Sequence, residues 1–119
     1  MFHRVAIVGL GLIGSSIGLA IHTAKSAQQI IGYDSDKHVA HHARKIGAID
    51  QSCTTLADTV RGAEFVILAT SLSPIRSLLQ DIAAVASPGT VVTDVASTKA
   101  QAAKYGRKLI IHTCKKGAI

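Results

Sequence analysis

Three glycines, Gly9, Gly11 and Gly14, stand in the order G-x-G-x-x-G, and Asp34 follows the last of them by 20 residues. These types at this spacing suit a pyrophosphate and a ribose. Gly9 allows a sharp turn out of a strand, and Gly11 has no side chain to keep the backbone from a phosphate. Gly14 lets a helix pack close to the neighbouring strand. Leu12 and Ile13 would open that helix, whose free N–H groups and positive dipole end face the phosphates. The Asp34 carboxylate can accept from both hydroxyls of an adenosine ribose, and such charge-assisted bonds are worth roughly 1.5–3 kcal/mol each. The same charge repels a 2′-phosphate, and Ser35, not arginine, comes next, with Lys37 the nearby cation. The reading is NAD in preference to NADP, held by Gly9, Gly11, Leu12, Ile13, Gly14, Asp34 and Ser35.

The elements that must position these residues are visible in the hydropathy pattern. Residues 4–9 read as a buried strand. Residues 12–24 place Ile13, Ile17, Ala20, Ile21 and Ala24 at helical spacing. Residues 29–34 read as a second strand ending in the acid, and 35–47 as a polar helix closed by Gly47. A short strand or loop precedes a brief helix over Leu56 to Val60. Residues 64–70 are an apolar strand, and 71–86 a helix with Ser73 as N-cap and Pro74 in the first turn. Residues 88–97 read as a turn followed by a strand, 98–106 as a short helix and 107–113 as a last strand. Helical crossovers imply parallel strands and right-handed connections. The expectation is a Rossmann-type, doubly wound α/β sheet in the order 3-2-1-4-5-6, one domain over residues 1–119.

The uncharged run of residues 5–21 invites two other readings. A membrane helix needs about 20 apolar residues, whereas this run has glycines at 9, 11, 14 and 18, which a helix tolerates poorly and a nucleotide loop requires. A signal peptide needs a small-x-small cleavage site, for which the following "HTAKSA" is a poor candidate. Cys53 and Cys114 are far apart and lack metal spacing, which fits reduced thiols in a cytoplasmic protein. The net charge of +6 is unevenly spread. Residues 1–99 carry eight Lys and Arg against seven Asp and Glu, while residues 100–119 carry five basic residues and no acid. The basic character therefore belongs to the tail, with no interleaved readers of the kind a nucleic-acid surface carries. Neither nucleic acid nor membrane is an expected partner.

The stretches "VAIVGLGLIGSSIGLAI", "IIGYDSD", "GAIDQ", "FVILATSLSPI" and "PGTVVTDVASTKAQ" together resemble the nucleotide-binding domain of the prephenate/arogenate dehydrogenase family, from about residue 3 to residue 101. The most specific piece is "TDVASTK", residues 93–99. The resemblance implies an NAD-dependent oxidative decarboxylation of prephenate or arogenate on the way to tyrosine. A hydride passes from the hydroxyl-bearing ring carbon to the nicotinamide, and CO2 leaves as the ring becomes aromatic. It further implies that Thr70, Ser71, Leu72 and Ile75 line the cofactor cleft and that Ser97 is the active-site serine. Ser97 also precedes an expected helix and fits an N-cap role; the two roles are compatible. The family's Gly-Gly-His-Pro-type segment, whose histidine accepts the substrate proton, has no counterpart here. His112 ends a strand without those neighbours and is the remaining candidate base. The divergent basic tail after residue 101 and the stop at Ile119 suggest a truncated or frameshifted member lacking the family's helical domain. Apolar surface left uncovered in such a domain leads to an expectation of self-association.

His38, His41 and His42 share a helical face, but a zinc site needs three or four convergent ligands, and a solvated face explains them as well. Asp94 and Lys99 flank Ser97 as either a local pair or an ordinary strand-end acid and surface lysine. Three functions remain in play. The first is the family's dehydrogenase. The second is an NAD-binding module without turnover, since the base and the substrate anchor lie largely elsewhere. The third is a β-hydroxyacid-type or imine-reducing dehydrogenase with a similar domain, against which "TDVASTK" argues.

Overall fold

The computed structural model describes residues 2–70, 75–95 and 110–113. In chain order the elements are β1 (Phe2–Val8), α1 (Leu12–Ala24), β2 (Ala27–Tyr33), α2 (Lys37–Lys45), β3 (Gln51–Ser52), α3 (Leu56–Val60), β4 (Phe65–Leu68), α4 (Ile75–Val85), β5 (Val91–Asp94) and β6 (Ile110–Thr113). The strands form a single sheet in the order β3-β2-β1-β4-β5-β6. Pairing is parallel from β3 through β5. The doubly wound α/β architecture and the strand order are those read from the sequence.

Alternation along the strands divides the core in two. Val5 and Ile7 of β1 face one side, where they join Ile30, Ala40, Ala43 and Ile49 beneath α1 and α2. Ala6 and Val8 face the other, packing with Val60, Val66, Leu68 and Ile82 beneath α3 and α4. A strand covered on both faces has to be apolar at every position, which is why residues 5–8 form an unbroken aliphatic run.

The structure corrects one expectation and adds one feature that the sequence did not show. First, β6 runs antiparallel to β5, with Asp94 opposite Ile110 and Val91 opposite Thr113. An apolar run carries no direction, and an edge strand has one neighbour to satisfy. Starting β6 beside the end of β5 also spares the chain a return across the sheet. Second, the buried face of α1 is Gly14, Ser15 and Gly18. Ile17 and Ile21 pack only at its margin, and Ile13, Ala20 and Ala24 are exposed. The helix lies so close to its neighbours that only the smallest side chains fit beneath it. A Cβ on Gly18 would sit 2.2 Å from the carbonyl oxygen of Ala48, in the turn after α2. The expected caps of α4, the helix at 98–106 and most of the basic tail fall outside the described residues.

Gly18→Ala should therefore destabilise the fold by about 1–3 kcal/mol, the usual cost of overpacking. Gly11→Ala, whose Cβ would meet nothing within 4 Å, should change stability by less than about 0.5 kcal/mol. Urea denaturation of the two variants against the parent checks both values.

Candidate functional site

The loop between β1 and α1 is shaped by contacts that exclude side chains. Gly9 has φ +97, and a Cβ there would lie 2.7 Å from the backbone nitrogen of Thr70. The loop thus presses directly on the segment leaving β4. A Cβ on Gly14 would meet the Gly9 carbonyl oxygen at 1.8 Å and the Ala69 Cβ at 3.3 Å. Gly14 therefore makes room for the loop's own carbonyl as well as for the end of β4, and the first of these was not foreseen. Gly11 has no neighbour on its open side.

The start of α1 differs from those of its neighbours. Asp36 caps α2 by accepting from the His38 N–H at 2.9 Å. Thr55 caps α3 by accepting from the Asp58 N–H at 3.1 Å. The N-cap of α1 is Gly11, with no side-chain cap and no acid in the first turn. The first helical bond there is donated by Ser15 N–H to the Gly11 carbonyl. A helix start left without a side-chain acceptor, beside a position with open space, is suited to an external anion.

Asp34 stands just past β2 and ties the loop down. One carboxylate oxygen accepts from the Leu10 N–H at 2.9 Å and the other from the Asp36 N–H at 2.9 Å. Each oxygen keeps acceptor capacity, since an ionised carboxylate offers about four lone-pair sites. The structural bond to Leu10 had no local signal in the sequence, because it joins residues 24 apart across two strands. The carboxyl edge of β1, β2 and β4 thus gathers Gly9, Gly11, Leu12, Ile13, Gly14, Asp34, Ser35 and Thr70. Leu12 is 86% exposed at the loop.

Two cavities flank α2. One, of about 530 Å³, lies between α1 and α2 and is lined by Gly11, Leu12, Leu19, His38 and His42 among others. The other, of about 330 Å³, opens beside Asp34 and is lined by Ser35, Lys37, His41, Arg44 and Thr54 among others. The three histidines of α2 are therefore divided between separate cavities. Among the described residues no group of His, Cys, Asp or Glu could hold a metal ion, and no helix is long and apolar enough to cross a membrane. Arg44 was missed from the sequence, although its spacing from Lys37 and His41 puts it on their stripe of the helix.

Other expected positions are less connected to this edge. Ser71, Leu72 and Ser97 lie outside the described residues, and Ile75 is the first residue of α4. Asp94 is buried at the end of β5. The antiparallel register sets His112 opposite Val92, inside β5. A parallel strand ending at His112 would have delivered it to the carboxyl edge.

A strand, a glycine-flanked turn, an uncapped helix start and a strand-end carboxylate on a doubly wound sheet define a dinucleotide-binding domain. The family model for the nucleotide-binding domain of prephenate dehydrogenase matches residues 17–115. The chain belongs to that family. The prephenate dehydrogenase of Lactococcus lactis is 37% identical over 111 residues, covering 92% of this chain and 31% of its own length. Prephenate dehydrogenase from A. aeolicus, solved with hydroxyphenyl propionate and NAD+, superposes with a TM-score of 0.66 at 29% identity. That match covers 83% of this chain and 35% of the A. aeolicus chain. Synechocystis arogenate dehydrogenase gives a TM-score of 0.68 at 28% identity, over 81% of this chain and 34% of its own. The chain spans about a third of the length of these relatives.

Asp34→Ala should lower stability by about 1–3 kcal/mol even without ligand, because it strips the Leu10 N–H of its acceptor. Amide hydrogen exchange should show faster exchange at Leu10 and Asp36 than in the parent protein. Unchanged rates at both would refute the clasp.

Proposed function

We propose that this chain binds NAD at the carboxyl edge of β1, β2 and β4, and that it serves an NAD-dependent prephenate or arogenate dehydrogenase. The observation that carries the reading is the start of α1: the one helix of the three with described starts that no side chain caps, beside an open Gly11. When bound, NAD supplies the hydride acceptor. The protein's own contribution begins with the backbone N–H groups around Gly11, Leu12 and Ile13, which would donate to the pyrophosphate. Gly9 and Gly14 hold that backbone in place without side chains of their own. The remaining lone pairs of Asp34 would accept from ribose hydroxyls, with Ser35 beside it. Thr70, Ser71, Leu72 and Ile75 would complete the cleft on the β4 side.

Ser97 is proposed as the active-site serine on the strength of "TDVASTK", whose first two residues, Thr93 and Asp94, end β5 at the edge where ligands bind in such sheets. His112 is a weaker part of the reading, because its register lies inside β5. Turnover needs an acid or base within about 3 Å of its proton, so binding without turnover is the second reading of this chain, favoured by that register. The proposal also has the protein acting in the cytoplasm and self-associating, with no nucleic-acid or membrane partner. The exposed Leu12, Ile13, Leu19 and Ile46 support association. Sedimentation should give a species heavier than one chain, and a monomer at all concentrations would remove that part.

Calorimetric titration should show NAD binding to the purified chain. Gly11→Val should weaken it at least tenfold while the chain stays folded, since the side chain fills the phosphate approach. Asp34→Ser should also lose NAD affinity, by about tenfold for one lost charge-assisted bond. An NAD affinity equal to the parent's in both variants would overturn the site. NADH production on adding prephenate separates turnover from binding alone.

A further inference from the structure

Ser15 is the one polar side chain on the buried face of α1, which it shares with Gly14 and Gly18. A buried hydroxyl needs a hydrogen-bond partner. This one donates to the Leu10 carbonyl at 2.9 Å, five residues back and outside the helix. The backbone N–H of Ser15 donates to the next carbonyl, that of Gly11, also at 2.9 Å. Two successive carbonyls are thus turned toward Ser15. The described peptide bonds are trans, and in a planar trans peptide the C=O and the following N–H point in opposite directions. The Gly11 and Leu12 N–H groups are therefore turned away from Ser15, out of the start of the helix. For Leu12 this is the usual state of a first helical residue. For Gly11 it depends on the serine, whose hydroxyl extends the alignment of the helical peptides by one unit upstream. The Leu10 N–H is held separately, by Asp34, so Leu10 is fixed at both its backbone polar groups. The Gly11 N–H has no partner among the described residues, and a Cβ at Gly11 would meet nothing within 4 Å.

We propose that Ser15 is a positioning residue for the cofactor: by holding the Leu10 carbonyl, it aims the Gly11 N–H at the pyrophosphate as one more donor beside those of the helix. The proposal rests on the NAD reading, which supplies the pyrophosphate. Ser15 acts through Leu10 and not by touching the ligand, since its one hydroxyl hydrogen is held by that carbonyl. Without the hydroxyl, the peptide between Leu10 and Gly11 can turn about its flanking dihedrals, while the Asp34 clasp and the helix remain. The affinity that is lost is then the part that depends on phosphate, and the nucleoside end of the ligand keeps its contacts.

The test is titration of the full chain with NAD, ADP and adenosine, followed by amide NMR. In the parent, the Gly11 amide signal should move on adding NAD or ADP and stay in place with adenosine. Ser15→Ala should raise the NAD Kd at least about fivefold, the worth of one hydrogen bond, and leave the adenosine Kd within about twofold. Ser16→Ala, which removes an exposed hydroxyl from the next position, should leave the NAD Kd within about twofold. Should Ser15→Ala fail to fold, Ser15→Cys, whose thiol is a weak donor of similar size, carries the same expectation. A Ser15 variant that binds NAD as the parent does overturns the inference alone. So does one that loses NAD and adenosine equally, which marks a purely structural serine. A Gly11 signal unmoved by NAD overturns it too. Failure of the parent to bind NAD overturns the NAD reading and this inference with it.

Discussion

The site depends on one steric constraint: the Gly9 carbonyl oxygen occupies the space that a Cβ at position 14 would need. From that contact the rest follows. The loop can fold back on the first turn of α1, and α1 can settle close to the sheet on Gly14, Ser15 and Gly18. The loop can also rest against Ala69 and Thr70 at the end of β4. The N-cap position is Gly11, which has no side chain to cap the helix. The N–H groups of the first turn are left to solvent or to a ligand, and the absence of a side chain at Gly11 leaves the space beside them open.

The second element of the arrangement is electrostatic. Asp34 joins the end of β2 to the loop after β1 through the Leu10 N–H, and to the start of α2 through the Asp36 N–H. One carboxylate thus fixes the relative position of two neighbouring βα turns. The parallel pairing of β1 with β2 brings those turns to the same edge, so the clasp is a consequence of topology and not of local sequence.

Much of this was legible in the sequence where the signal is local. The bounds of α1 and α3 follow from periodicity and turn chemistry, and the strand order follows from alternating apolar and amphipathic runs. The glycine spacing and Asp34 point to the carboxyl edge of β1 and β2, where the structure brings these residues together. What was not legible depends on long-range contact or on direction. The helical spacing of Ile13, Ile17, Ala20, Ile21 and Ala24 marked α1 as a helix without showing its buried face, which close approach to Ala48 leaves to the small residues. The direction of β6 is set by its partner β5, and nothing in "LIIHT" encodes it. The three histidines of α2 looked like one cluster, but neighbouring elements divide them between two cavities.

The double duty of Asp34 bears on how cofactor choice can drift over generations. A residue proposed to select a ligand that also secures the backbone is hard to exchange, since any replacement acts on folding as well as on selectivity. The lysine, histidine and arginine along α2 carry no such structural duty among the described residues. Exchange of that aspartate would be expected only together with a change elsewhere that supplies the Leu10 N–H with another acceptor.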